Sequence, residues 1–154
     1  MQTFFEDYKT IIIFLHILSA VVWVGGMIAI KFAVHPVIQT IDEPKIRLGT
    51  NLRIVGRLFN LVMPFIVMSI LCALLIIQGA GYAGGFIYLK EAIWTVMSLN
   101  YMYMYIQRKQ AQTLFNRGDL AGAKAKMQLL PTILLPINIV LGVVAIFLGV
   151  MLRG

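Results

Sequence analysis

The sequence predicts an all-α protein: a polytopic transmembrane four-helix bundle that forms a single domain over residues 1–154. Composition is the first reason, because 60% of the residues are apolar and only 12% are charged, whereas a soluble domain carries about 25% charged residues. The second reason is that the apolar residues gather in four runs of about 20 residues or more, the length that a helix needs to cross a bilayer. The predicted spans are approximately 10–34, 58–80, 85–106 and 127–152.

The first span contains polar residues that an apolar helix does not need. His16 and Trp23 lie seven residues apart on one helical face, and Gly26 approximately continues that face. Glycine has no side chain, so another helix or a flat ligand can approach closely there. His16 lies about six residues inside the span, at a depth of about 9 Å.

The connection that follows the first span favours a short helix on the membrane surface. In its sequence DEPKIRLGTNLRIVGR the apolar and basic residues alternate at roughly helical spacing, which is typical of interfacial amphipathic helices. Pro36 and Pro44 are expected to end and interrupt any helix that follows the first span. The second span then contains Cys72, the one cysteine, which we interpret as a small buried side chain.

The third span begins with two charged residues. Lys90 and Glu91 lie about six residues inside it, at the expected level of His16. Adjacent residues of a helix point about 100° apart, so at most one of the two faces His16 directly. Glu91 is the only acidic residue clearly within a span, and this excludes chemistry that needs paired carboxylates.

The third and fourth helices are expected to form a long hairpin that extends beyond the membrane. Helical composition continues to Phe115, the segment 116–118 resembles a helix end and turn, and Asp119 is the predicted N-cap of the fourth helix. Prolines interrupt the fourth span at two positions, Pro131 and Pro136, which a membrane helix tolerates when neighbours satisfy the freed carbonyls. Across the bundle, Asn60, Asn100 and Asn138 are expected to form hydrogen bonds between helices.

The distribution of basic residues predicts the orientation. Nine of the thirteen lysines and arginines lie in segments 36–57 and 107–126, and none lies in segment 79–84. By the positive-inside rule the two basic segments are cytoplasmic, so both termini are predicted to be periplasmic, in the inner membrane of a bacterium. This bias explains most of the net charge of +7. We therefore expect contact with membrane lipid and no nucleic-acid partner.

His16 and His35 are the candidate metal ligands, but they cannot share one metal ion within one chain. They are 19 residues apart, or about 28 Å along a helix. A second axial ligand for a haem at His16 would come from another side chain, with Met97 nearest by depth, or from a second subunit. A homodimer is attractive for this reason.

The stretch LHILSAVVWVGG, residues 15–26, resembles the first-helix signature of the CopD / HemJ-type membrane superfamily. In that signature a histidine is followed seven residues later by tryptophan and then by a pair of small residues. A basic residue and often a second histidine follow, here Lys31 and His35. The lysine of YLKEAIW, residues 88–94, is similar to a lysine early in the third helix of HemJ-type proteins.

The resemblance implies one of two functions. HemJ-type proteins are protoporphyrinogen IX oxidases that bind haem b, so this branch implies His16 as an axial ligand and Lys90 beside a porphyrin propionate. Trp23 and Gly26 would then line the pocket, and Lys90 or Glu91 would handle protons if the protein is an enzyme. Electron transfer between a quinone and a partner is the other redox function we consider.

The CopD-type branch implies copper uptake or homeostasis, with His16, His35 and methionines along a path. A third alternative is a scaffold without a cofactor, in which His16 only forms a hydrogen bond with a neighbouring helix.

Overall fold

The structure, a computed structural model, describes residues 2–80 and 85–151, with the side chains of all of these except 2, 80 and 86. These residues form four long helical rods and contain no strand. The predicted connection at 81–84 and the last residue of the fourth predicted span, 152, lie outside the described residues. The rods are α1 (Gln2–Ile28, continued by Ala29–Val34 and His35–Gln39), α2 (Pro44–Ala80), α3 (Gly85–Asn116) and α4 (Leu120–Leu129, continued by Leu130–Leu134 and Leu135–Met151).

Three of the rods are long and apolar enough to cross a membrane. They contain the stretches Thr3–Gln39, Pro44–Gly79 and Leu120–Met151, with mean hydropathies of 2.4, 2.6 and 2.7 over their most apolar windows. The helix α3, which the sequence also predicts to span, is long but is not among them. Its first half carries Lys90, Glu91 and several hydroxyl and amide side chains, and these lower its hydropathy. The all-helical prediction is therefore confirmed, and the crossing of the membrane by α3 stays a prediction.

The four rods pack in the order α2, α1, α4, α3. The helix α1 packs most extensively on α2 and also contacts α4, while α3 and α4 form a hairpin. The contacts between α2 and α3 are fewer, and those described here join residues 49–59 to residues 101–115. These contacts lie in the halves of α2 and α3 that carry the basic residues.

The core contains large side chains from every rod, while the outside of the bundle is apolar too. The largest side chains with less than 3% exposure include Trp23 on α1, Phe59 on α2, Met104 on α3 and Leu135 on α4. Many large apolar side chains on the outer faces are more than half exposed. Burial of apolar area stabilises by about 25 cal/mol per Å², so such a surface is consistent with contact to lipid rather than water.

The turn between α3 and α4 confirms the predicted capping signal. Gly118 has φ +84°, the left-handed backbone conformation that glycine adopts without a side-chain penalty. The Asp119 carboxylate then accepts a hydrogen bond from the Gly122 backbone N–H at 2.8 Å, as an N-cap does. The two helices extend past the predicted ends of their spans and form the expected long hairpin.

The prediction of a separate surface helix between 36 and 56 is wrong. Pro44 begins α2, which runs without interruption to Ala80. Apolar residues at Leu48, Leu52 and Val55 keep helical spacing and are buried against the rest of the bundle. Because this buried stripe runs directly into the membrane-spanning half, the segment cannot turn aside to lie on the bilayer. It extends the bundle instead.

Two prolines produce π-helical turns in α1 and α4. In each rod the π-helical segment ends two residues before a proline: Ala29–Val34 is followed by His35 and Pro36, and Leu130–Leu134 by Leu135 and Pro136. The N–H groups of His35 and Leu135 donate to carbonyls five residues earlier. A proline ring clashes with the carbonyl four residues before it and cannot donate, so the helix widens. Pro36 thus distorts the first rod but does not end it, contrary to the prediction.

Candidate functional site

His16 lies on the face of α1 that points into the bundle. Its helical neighbours on that face, Ile12, Ser19 and Trp23, are each at most 5% exposed, while His16 itself is partly exposed. The imidazole contacts α2, where its Nδ1 lies 3.2 Å from the backbone oxygen of Ser69 and 3.5 Å from the Ser69 hydroxyl oxygen. The contact therefore joins α1 to α2 through two residues that are 53 positions apart in the sequence.

The contact with Ser69 fixes the orientation of the His16 ring. A carbonyl oxygen only accepts hydrogen bonds, so Nδ1 carries the proton and donates it. In the neutral ring Nε2 then carries the lone pair. A ligand histidine in a metal site commonly donates its other ring N–H to a backbone carbonyl in this way. The Nδ1 contact of His16 is therefore of the kind that a metal-ligating histidine makes.

Below His16 the same face of α1 is tightly packed. Trp23 is 2% exposed and meets Tyr101 of α3 edge to face, with ring centroids 6.3 Å apart. A Cβ atom on Gly26 would lie 3.2 Å from a Val62 methyl group of α2. The predicted role of Gly26 in close packing therefore holds for the approach of α2, and Trp23 is a core residue two turns away from the imidazole.

Lys90 lies at a level similar to that of His16, but on a different pair of helices. It is partly buried and points along α4, where a Cβ on Gly149 would lie 3.1 Å from its Nζ. Seven residues earlier on α4, a Cβ on Gly142 would lie 2.6 Å from Val24 of α1. Because α1 and α4 are antiparallel, the residue of α1 at the level of Gly149 lies two turns before Val24, at approximately position 17. Lys90 and His16 therefore share one layer. Lys90 faces α4, whereas His16 faces α2.

Glu91 points away from this layer. It follows Lys90 directly, so its side chain is rotated by about 100°, and it is exposed on the outer face of α3. Its backbone carbonyl accepts a hydrogen bond from the Thr95 hydroxyl at 2.9 Å. Of the two predicted proton-handling residues, only Lys90 lies inside a helix interface of this chain.

His35 lies at the opposite end of α1 from His16, as the spacing requires. Its Nε2 is 3.4 Å from the side-chain nitrogen of Gln39, one turn further along. Among residues 2–80 and 85–151 no group of three or more His, Cys, Asp and Glu side chains lies close enough to hold a metal ion. The structure does not bring the two histidines together.

Met97 does not lie beside His16 either. It is 3% exposed, and its methyl group would lie 3.2 Å from a Cβ on Gly142, in the layer of Val24. Val24 follows His16 by eight residues, or about 12 Å along the helix. A haem iron needs both axial ligands within about 4 Å, so the interpretation of Met97 as a partner of His16 is wrong.

A second polar layer lies deeper in the bundle. The Asn100 amide donates to the Leu134 backbone oxygen at 2.9 Å and to Asn138 Oδ1 at 2.8 Å, and Asn138 donates to the Met97 carbonyl at 3.3 Å. This confirms the expected hydrogen bonds between helices at these two asparagines. Asn60, the third asparagine of the prediction, is exposed on α2 instead.

Two contacts were not predicted from the sequence. One is the role of Ser69 as the partner of His16. A serine within the apolar run of the second span was the sequence signal that could have indicated it. The other is a hydrogen bond from the Lys31 ammonium to the Pro131 backbone oxygen, which joins the two π-helical segments.

The fold and these layers define a class: an all-helical protein, with three helices apolar enough to cross a membrane and polar side chains inside the bundle. The chain is 28% identical over 150 residues to an uncharacterized protein of Aquifex aeolicus (strain VF5), an alignment that covers 94% of this chain and 95% of that protein. No protein-family model matches the chain. No solved structure matches it either.

Proposed function

We propose that this protein is a haem b-binding redox protein of the bacterial inner membrane, with His16 as an axial ligand. In this proposal all four rods cross the bilayer, with both termini on the periplasmic side, and His16 lies in the outer half. The observation that carries the proposal is the ring geometry at His16, whose Nδ1 lies 3.2 Å from the Ser69 backbone oxygen. A histidine whose Nδ1 donates to a backbone carbonyl binds a metal ion through Nε2.

Lys90 supports the same proposal. Its ammonium group is the one basic group in the layer of His16 among the described residues, and it lies inside the α3–α4 interface. A porphyrin carries two propionate groups, and a lysine in a low-dielectric environment binds such a carboxylate strongly. Lys90 would therefore hold a propionate or a proton. Glu91, on the outer face, would meet lipid or a second subunit.

The single imidazole leads to the second part of the proposal, a homodimer. One chain supplies one histidine at this level, and His35 and Met97 are too far along their helices to complete the coordination. His16 is partly exposed, and in this proposal a second copy of the chain approaches it there. A second subunit would supply the opposite wall of the pocket and the other axial ligand.

When bound, haem b supplies one-electron redox chemistry, and an apolar donor within the membrane, a porphyrinogen or a quinol, suits such a site. The HemJ-type pattern has a proline–arginine pair after the tryptophan and a tyrosine–histidine pair late in the third helix. Here the sequence IAIK and Asn100–Tyr101 stand in these places. The resemblance therefore supports haem binding better than it supports the oxidase reaction.

Reduced-minus-oxidised absorption spectra of the purified protein test the proposal, and His35→Ala provides a matched control for His16→Ala. We expect haem b bands in the wild type and in His35→Ala, and their loss in His16→Ala. Bands that persist in His16→Ala would remove His16 as the ligand. A colourless wild type, even after haem is supplied, would contradict haem binding; uptake of Cu(I) would then favour the copper alternative, and no uptake the scaffold.

A further inference from the structure

A basic groove lies between the first half of α2 and the second half of α3, far from His16. It has a volume of about 630 Å³. Its lining contains four basic side chains and one acidic side chain, Glu43. The basic residues are Lys45, Arg53, Arg57 and Arg108.

Arg108 is held in place on the wall of this groove. Its Nε and Nη2 donate to the Leu52 backbone oxygen at 3.2 and 3.0 Å, and Nη2 also lies 3.4 Å from the Gln112 side-chain oxygen. Gln112 in turn donates to Asn116 at 3.0 Å. The guanidinium lies so close to Gly56 that a side chain there would force it to move. The sequence thus provides a glycine where this arginine crosses α2.

Arg53 and Arg57 complete the charged part of the groove from α2. They are one helical turn apart and both exposed. Like charges at this spacing repel each other, and within the described parts of the chain neither arginine forms an ion pair with an acidic side chain. An anion between these arginines would remove the repulsion and complete the charge balance of the groove.

The position of the groove along α2 indicates what kind of anion binds. The groove ends at Asn60, which is exposed, and the next residue, Leu61, begins the apolar stretch and is 56% exposed. The charged end of the groove therefore borders directly on the lipid-facing surface. A phosphate group at Arg57 and Asn60 would leave an attached acyl chain lying along this apolar surface, whereas a free phosphate would gain nothing from it.

We propose that this groove binds the phosphate headgroup of an anionic phospholipid, in the leaflet on the side of the basic segments. Basic pockets between membrane helices commonly hold such headgroups, and the planar guanidinium group binds phosphate oxygens in pairs. Arg53 and Arg57 supply the free charges, and the fixed Arg108 supplies a preformed wall. The site does not depend on haem binding at His16.

Lipid retention tests this proposal. The protein is purified in detergent, titrated with phosphatidylglycerol or phosphatidylcholine, and the bound lipid is counted by native mass spectrometry. The site variant is the double substitution Arg53→Gln and Arg57→Gln. The matched control is Arg117→Gln with Lys124→Gln, which removes the same charge from exposed positions outside the groove.

We expect phosphatidylglycerol to bind at least tenfold more tightly than phosphatidylcholine, and the site variant to lose this preference while the control keeps it. Circular dichroism verifies that both variants fold. Equal loss in both double variants would mean that net charge alone attracts the lipid, and would overturn the proposal. No preference in the wild type would also overturn it, as would equally tight binding of inorganic phosphate, which would indicate a soluble ligand.

Discussion

The ammonium group of Lys31 on α1 donates a hydrogen bond to the backbone oxygen of Pro131 on α4, 100 residues away. In the π-helical turn of α4 each N–H donates to the carbonyl five residues earlier, and the partner of Pro131 in that pattern is Pro136, which has no N–H. Lys31 therefore supplies the donor that a proline removed. The distortion of one membrane helix is compensated by a side chain of another.

The coupling between Lys31 and Pro136 can be measured. Pro136→Ala restores a backbone N–H, so α4 can satisfy its own carbonyls. Lys31→Met should then destabilise the protein less in the Pro136→Ala background than in the wild type, by about 1–2 kcal/mol, because a buried carbonyl no longer loses its donor. Chemical unfolding in detergent measures the four free energies of the cycle. Equal costs of Lys31→Met in both backgrounds would show that the hydrogen bond contributes nothing.

A side chain at Gly56 is expected to displace the Arg108 guanidinium from its hydrogen bonds with the Leu52 backbone oxygen. Gly56→Ala should lower the free energy of unfolding by about 1–3 kcal/mol through overpacking. Gly25→Ala is the matched control, since a Cβ there meets no atom within 4 Å; it should be neutral or stabilising by up to about 1 kcal/mol. Arg108→Ala should suppress the cost of Gly56→Ala, and a lack of suppression would contradict this explanation.

The asparagine pair in the deeper layer is expected to stabilise the α3–α4 hairpin. Asn138 is fully buried, accepts from Asn100 and donates to the Met97 carbonyl. Asn138→Ala should cost about 1–2 kcal/mol, given the strength of hydrogen bonds between membrane helices. Thermal unfolding in detergent measures this cost, with the exposed Asn60→Ala as the control. If the two substitutions cost the same, the buried network is not stabilising.

The crossing of the membrane by α3 is a separate prediction, because hydropathy alone does not select this helix. Single cysteines at Gly85→Cys and Arg117→Cys lie at the start of α3 and just after its end. In a Cys72→Ala background, an impermeant thiol reagent should label Gly85→Cys in intact cells, and Arg117→Cys only after lysis. Labelling of both positions from one side would mean that α3 does not span and that the orientation differs from the one predicted.

Local signals in the sequence predicted local structure well. Gly118 and Asp119 gave the turn between α3 and α4, because a left-handed backbone and an N-cap each need particular residues. The depth of Asn100 and Asn138 predicted hydrogen bonds between helices, since buried amides need partners, but it did not identify them as each other's partner. The prediction of a separate surface helix failed for the first part of α2, residues 44–59. An alternation of basic and apolar residues does not reveal whether the apolar face meets lipid or another helix.

The candidate site was predictable in depth but not in direction. Counting residues placed His16 and Lys90 at one level, and the contacts of Val24 and Gly142 agree with that. Counting could not give the rotation of the rods, which directs His16 to α2 and Lys90 to α4. Nor could it give Ser69 as the partner of His16, because the register of two antiparallel helices depends on packing over their whole length.

Binding of haemin to the apoprotein tests the central claim most directly. Protein from haem-deficient cells would be titrated with haemin in detergent, and the dissociation constant compared among the wild type, His16→Ala and His35→Ala. The account predicts equal constants for the wild type and His35→Ala, and binding at least tenfold weaker for His16→Ala. Equal constants for all three proteins, or no saturable binding by the wild type, would contradict it.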